Sequence, residues 1–319
     1  MRTRKLGNTG VDLSVIGFGS AAIVGGRDYG FVERDAKESV RTVHRALEHG
    51  INWVDTAPKY ADGYVEQLVG RALREWNEPV FVATKCGYSF DPAVGKPVRN
   101  LKRASIIGEV ENSLKSLGVS CIDLCQIHWP VPDEDIEEAY MALSDMIEQG
   151  KVRFAGVSNF SIKQLSRISE IHPLASMQSP YNLFDRDVET GILPYCRDRE
   201  IAVFAYSPML SGLLTGAFDR DRIRALPSGD WRHHIDHFCE PLLSISLSAI
   251  DDLKRLASEL GATLPQLAVA WTLVDSAVTA AIVGARTTSQ IDGTVEAGSM
   301  LLDTDTIEEI NTILGTYGL

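Results

Sequence analysis

No apolar run in this 319-residue sequence approaches the roughly 18 residues that a membrane-spanning helix requires. The opening stretch, MRTRKLGNTG, has charge but no apolar segment behind it, so it does not read as a secretory signal. Cysteine is scarce. Cys86, Cys121, Cys125, Cys196 and Cys239 are odd in number and fit neither a disulfide framework nor a zinc spacing. Positive charge is also short: 31 Lys and Arg stand against 43 Asp and Glu, a net charge of −12. A nucleic-acid surface needs clustered basic residues, so no nucleic-acid partner is expected. Low-complexity tracts, linkers and close repeats are missing too. These absences predict an ordinary globular protein of a reducing cytoplasm, one domain over residues 1–319. Nothing in the sequence sets an oligomeric state.

What is present is a recurring unit. A short apolar run is followed by a turn, then by a helical pattern of about ten to fifteen residues. The runs are LSVIGFG (13–19), INWVDT (51–56), VFVATK (80–85), IDLCQIH (122–128), RFAGVS (153–158), LASMQS (174–179), IAVFAYS (201–207) and TAAIVGA (279–285). They are continuously apolar, as buried parallel strands are. Helical stretches separate them. Asp35 with Glu38 forms a potential capping box for the first, and Gly50 closes it. Others run over 105–117 before Gly118, over 133–149 before Gly150, onward from Ser161, over 187–199 and over 246–260. Such alternation predicts a (β/α)8 TIM barrel of class α/β. The alternative is an open doubly wound sheet, which leaves two edges unpaired. Two segments fall outside the repeat. Residues 1–12 are expected as an N-terminal hairpin, and residues 216–243 as a long loop after strand seven, of the lid or binding type. A C-terminal extra helix is expected over 303–314.

Polar residues gather at the ends of these runs. Asp55 ends strand two, Lys85 strand three and His128 strand four. Ser158 and Asn159 end strand five, Gln178 strand six, and Tyr206 and Ser207 strand seven. In a barrel these ends meet on one rim, where active sites are built. Each alone is ordinary, since a strand-end Asp often caps a helix and a lone Lys or His is often solvated. An apolar interior has no reason to collect Asp, Lys and His at three consecutive strand ends unless they partner one another. Tyr60 follows Asp55 in the loop DTAPKY, close enough to lean over the rim. A lysine ammonium beside a tyrosine favours the phenolate, so the Tyr60 hydroxyl is expected below its usual range. Asp55 would hold Lys85, and His128 would orient a carbonyl or assist proton transfer. The set is a tunable proton donor without an obvious nucleophile, which suits carbonyl reduction better than hydrolysis.

With these residues in place, the sequence resembles the aldo-keto reductase superfamily over nearly its whole length. The likeness is carried by KLGNTGVDLSVIGFGS, HGINWVDTAPKY, ATKCG, IDLCQIHWP, QGKVRFAGVSNFS, QSPYNLFDR, YSPMLSGLLTG and IVGAR, in order. It is closest to the bacterial branch with GLLTG after strand seven and GAR after strand eight. The resemblance implies a catalytic tetrad of Asp55, Tyr60, Lys85 and His128, with Tyr60 the general acid in reduction and the base in oxidation. It implies a nicotinamide cofactor bound in extended form, with Asp55 bordering it. Ser158, Asn159 and Gln178 would hold the carboxamide, and Tyr206 would stack on the ring. Ser207, Met209, Ser211 and Gly212 would line the pyrophosphate. Gly284, Ala285, Arg286 and Gln290 would lie along the adenosine, while Gly19 and Ser20 border the site. Arg286 points to NADP(H), since a guanidinium grips a 2′-phosphate, with NAD(H) the other option. The sequence departs from the family at Gly293 and Thr294, where many relatives carry a Glu–Asn pair. The implied substrate is a small carbonyl or alcohol, and the sequence names neither it nor the direction of reaction. The superfamily also includes potassium-channel β subunits, so the alternative class is a cofactor-binding regulatory or sensor protein with little turnover.

Other signals in the sequence are weaker. GFGSAA (17–22) matches a dinucleotide-binding fingerprint, but a glycine-rich stretch follows where that fold starts a helix. His233, His234, His237 and Glu240 cluster in the long loop without a helix to align them, so a solvated lid is expected and no metal. Cys121 and Cys125 are expected as core thiols, and Cys86 points away from the site by strand alternation. Ala21, Tyr88, Trp129 and Trp231 are candidate walls of the substrate pocket.

Overall fold

The apolar runs form eight parallel strands that close on themselves. The computed structural model describes residues 1–24, 35–91 and 96–319. A hairpin of β1 (Thr3–Lys5) and β2 (Asp12–Ser14) comes first, antiparallel as expected. The barrel begins with β3 (Ile16–Gly19), β4 (Trp53–Asp55) and β5 (Phe81–Cys86). A second hairpin, β6 (Tyr88–Asp91) and β7 (Lys96–Arg99), rises from β5 outside the barrel. Then come β8 (Ile122–Ile127), β9 (Val152–Ser158), β10 (Ser176–Pro180), β11 (Ala202–Tyr206) and β12 (Val278–Gly284). Closure is made by β12 against β3, where Gly284 stands opposite Gly19.

Helices cover the outside: α1 (Ala36–Glu48), α2 (Tyr64–Arg74), α3 (Arg103–Leu117), α4 (Ile136–Glu148), α5 (Ile162–Ser169), α6 (Ile192–Asp198), α7 (Arg220–Arg224), α8 (Leu242–Glu259), α9 (Leu264–Thr272), α10 (Thr288–Thr294) and α11 (Thr304–Tyr317). Their ends follow local chemistry. Asp35 caps α1 by accepting from the Lys37 amide, and Ser161 caps α5 in a reciprocal box with Gln164. Gly118 closes α3 in the left-handed conformation.

Strand alternation sorts the barrel interior into layers. Trp53, Phe81, Ala83, Leu124, Phe204, Ala280 and Ile282 fill the lower half, and Leu6 and Leu13 of the first hairpin plug the bottom. Trp53 is central. Its indole Nε1 donates to the Ser14 carbonyl at 2.9 Å, and its ring lies so close to Gly17 that a Cβ there would sit 2.1 Å from it. Removing such a packed ring costs about 3–5 kcal/mol. One step further up each strand, the same alternation turns Asp55, Lys85, Gln126, Ser158 and Gln178 inward. All are buried.

One expectation needs correction, and two features add to the reading. Cys121 is exposed rather than a core thiol, because β8 starts one residue after it. The segment 216–243 holds α7 and two short 3-10 turns, and the buried Arg232–Asp230 ion pair braces it at 2.9 Å. The β6–β7 hairpin has no counterpart in the sequence reading: its strands are short and half polar, so neither period stands out.

Ala21 to Val24 form a turn after Ser20 rather than a helix, so GFGSAA does not open a dinucleotide fold. Among the described residues, no helix is long and apolar enough to cross a membrane.

Candidate active site

The inward-turned polar layer converges on Asp55. Lys85 Nζ lies 2.6 Å from its Oδ1, and both residues are almost wholly buried. Gln178 Nε2 donates to the other carboxylate oxygen at 2.9 Å. The Asp55 backbone carbonyl accepts from both the amide and the hydroxyl of Ser20, each at 2.9 Å. Lys85 spends a second proton on the Thr56 carbonyl at 3.0 Å, and its third contact is the Tyr60 hydroxyl at 3.4 Å. Tyr60 therefore reaches the rim from its loop, as the DTAPKY spacing suggests. Its ring stands edge-on to His128, with 6.2 Å between centroids.

The proton energetics differ from expectation at Tyr60. Burial, then the Asp55 carboxylate, then Tyr206 push its hydroxyl well above the ordinary tyrosine range. Burial and the Asp55 carboxylate decide the direction, although the Lys85 ammonium lies 3.4 Å from the phenol oxygen. Tyr60 is thus held as the protonated phenol through neutral pH. His128 moves the other way. Burial, then the charges of Lys85, Lys59 and Arg99, hold it well below the usual histidine range, as a neutral imidazole.

A second cluster comes from β9 to β11. Tyr206 donates its hydroxyl to Asn159 Oδ1 at 2.9 Å. Asn159 Nδ2 donates to the His128 carbonyl at 3.0 Å and to Ser158 Oγ at 2.9 Å. Asn159 adopts a left-handed backbone, φ 65°, which Asn tolerates better than most residues. These donors fit a carboxamide. Gln178 Oε1 makes no hydrogen bond among the described residues and is open to its NH2, and the Ser158 hydroxyl offers a proton to its carbonyl. Beyond β11, Ser207, Leu210, Ser211 and Gly212 all take positive φ, at 52°, 43°, 56° and 95°. Met209 lies between them. Such a run of positive φ is a backbone of the kind that can hold phosphate oxygens, although the Leu210 and Gly212 amides are taken up by the Ser207 and Met209 carbonyls, each at 2.9 Å. At the β12–β3 seam the exposed Gly284 stands opposite the buried Gly19, and the buried Ala285 and then Arg286 follow it. The Arg286 amide donates to Gln290 Oε1 at 2.7 Å, so these two close one small loop. The residues present therefore fit an extended dinucleotide laid from β9 round to β12.

The pocket-wall candidates divide. Tyr88 stands edge-on to His128 at 5.5 Å, and Trp129 follows His128 in the chain, under the Arg99 guanidinium at 5.1 Å. Ala21 lies in the turn after Ser20. Trp231 sits in the long loop, where its indole Nε1 is buried without a hydrogen-bond partner among the described residues. In that loop His237 pairs with Ser246 and Glu240 accepts from Ser244, and His233 Nε2 lies near the Pro227 carbonyl. Among the described residues, no group of His, Cys, Asp and Glu gathers to ligate a metal. Cys86 lies in the outer core layer, as alternation implies.

The sequence reading missed Glu109. It occupies the buried face of α3 with Ile106, Val110, Ser113 and Leu117, and that helical phase was the available signal. Its Oε2 accepts the Gly87 and Tyr88 amides, each at 2.9 Å, and its Oε1 accepts the Ser105 hydroxyl at 2.9 Å. It fixes the root of the β6–β7 hairpin beside the site. Burial pushes its carboxyl up to about 7, against the three hydrogen bonds.

Comparison with known proteins follows the same lines. A model of the Aldo/keto reductase family matches residues 15–314. An aldo-keto reductase of Bacillus subtilis, YhdN, is 38% identical over 98% of this chain and 94% of its own. An NADH-specific methylglyoxal reductase of Escherichia coli is 33% identical, covering 93% of each chain. The solved structure of a glycerol dehydrogenase from Gluconobacter oxydans superimposes with a TM-score of 0.90 at 37% identity, covering 99% of this chain and 95% of that one.

Proposed function

The chain belongs to the aldo/keto reductase family and is an oxidoreductase of that family; on that premise we propose that it is an NADP(H)-dependent reductase of aldehydes or ketones, or runs the reverse reaction, with Tyr60 as the general acid and base. The observation that carries the reading is the Tyr60–Lys85–Asp55 chain, with a neutral His128 beside it.

The nicotinamide, when bound, supplies the hydride. Tyr60, kept protonated, donates its proton to the substrate oxygen. Lys85 stabilises the phenolate left behind, since its ammonium lies 3.4 Å from the phenol oxygen. Asp55 pairs with the buried Lys85 at 2.6 Å and so fixes where that ammonium points. A neutral imidazole at His128 offers an N–H to the carbonyl oxygen without competing as an acid. Gln178 and Ser158 orient the carboxamide, and Tyr206 offers its ring to the nicotinamide. Arg286 supports NADP(H), through a bidentate grip on the 2′-phosphate. The NADH-specific relative makes that preference the point to measure.

The test is fluorescence titration with NADPH and NADH, followed by turnover on a panel of aldehydes, ketones and sugars. Tighter NADPH binding with turnover on a carbonyl is expected. Tight binding without turnover on any of them overturns the reductase reading in favour of a cofactor-binding regulatory protein.

A further inference from the structure

The rim beside His128 carries two cations that proton transfer does not use. Lys59, next to Tyr60 in the chain, holds its Nζ 4.6 Å from the centre of the Tyr88 ring. Arg99, at the end of β7, donates from Nε to the Tyr88 hydroxyl at 3.2 Å and lies over the Trp129 ring at 5.1 Å. Tyr88 in turn meets His128 edge-on. Two aromatic faces thus fix the two positive charges at the mouth. Both residues are exposed, and neither pairs with a carboxylate among the described residues. Lys85 is different, since Asp55 neutralises it. Two unmatched cations on a chain of net charge −12 are conspicuous, because acidic side chains were available in excess.

Their field reaches the reacting region: after burial and Lys85, their charges hold down the His128 titration. They also stand away from the dinucleotide track. Asn159, Gln178 and Tyr206 come from β9 to β11, whereas Lys59, Tyr88, Arg99 and Trp129 follow β4, β5 and β8 on the other arc of the rim. The cations therefore serve what enters opposite the cofactor.

Resting on the reductase reading above, we infer that the carbonyl substrate carries an anionic group, a carboxylate or a phosphate, held between Lys59 and Arg99. The Arg99 guanidinium, braced on Trp129, presents a planar fork to such an oxyanion, and Lys59 adds a point charge. The pair also draws anions toward a mouth in an otherwise acidic protein.

The test compares matched substrates: benzaldehyde with 4-carboxybenzaldehyde, and glyceraldehyde with glyceraldehyde 3-phosphate. At low salt, kcat/KM for the anionic member of at least one pair should exceed that of its neutral partner by about tenfold or more. The pair that shows it tells carboxylate from phosphate. Raising NaCl from about 0.05 to about 0.5 M should compress that ratio, and Lys59→Gln with Arg99→Gln should collapse it, chiefly through KM. Turnover of the neutral aldehydes with no anionic preference, or a preference unchanged in the double variant, overturns this inference alone. No turnover of any of the four with either cofactor overturns the reductase reading and this inference with it.

Discussion

Gln178 and Asp55, separated by 123 positions in the chain, meet across the barrel mouth, where the Gln178 Nε2 donates to Asp55 Oδ2 at 2.9 Å. The other oxygen of the same carboxylate holds Lys85. One buried side chain therefore links a residue assigned to the cofactor with the lysine assigned to proton transfer. Anything that moves Asp55 disturbs both.

Asp55→Asn leaves Lys85 buried without a counter-charge. Breaking a buried pair in this way costs about 3–5 kcal/mol. Chemical denaturation should show a loss of that order, and turnover should fall with it. A variant with unchanged stability would mean that Lys85 finds another partner or gives up its proton.

Tyr60→Phe removes one oxygen and little packing. Turnover should drop by about 10²–10⁴-fold while cofactor affinity stays nearly constant. Because burial and Asp55 hold the phenol protonated, the wild-type reduction rate should also persist through neutral pH and decline only in alkaline solution. A fully active variant would remove Tyr60 from its proposed role.

Glu109 gives a pH-dependent stability. Its carboxyl is raised from 4.5 to about 7 in the folded protein, so the folded state binds this proton more tightly than the unfolded chain. The resulting stabilisation is present in acid and is lost as pH rises through about 7. Glu109→Gln keeps acceptors for the Gly87 and Tyr88 amides without the buried charge. Relative to wild type it should gain stability between pH 5 and pH 8, by up to roughly 3 kcal/mol. Parallel pH profiles of denaturation for the two proteins would show that the carboxyl titrates normally.

Arg286→Ala should weaken NADPH by about 10–100-fold, the worth of a charge-assisted contact to phosphate, and NADH far less. Titration of both cofactors reads this directly. Equal losses would mean that Arg286 does not discriminate at the 2′ position.

Much of the site was legible because a barrel gives sequence position a spatial meaning. Once eight apolar runs imply eight parallel strands, their polar C-terminal ends share one rim, and Asp55, Lys85, His128 and Gln178 are neighbours without any coordinates. The acidity of Tyr60 was not legible. Its direction depends on how deeply the phenol is buried and on how near the Asp55 carboxylate lies, and neither is a property of spacing. Glu109 was half legible: helical phase places it inward, but its partners lie in a hairpin whose short strands give no periodic signal.

The sequence by itself determined the barrel, its strand boundaries to within a few residues, and the set of polar side chains on its rim, because burial period and chain order are written in the residue types. Only the tertiary structure decided which proton each group keeps, how Trp53 and the first hairpin seal the floor, and that Lys59 and Arg99 converge on Tyr88. Those depend on distances of a few ångström between segments far apart in the chain, and at that range burial and the nearest charge outweigh anything local sequence encodes.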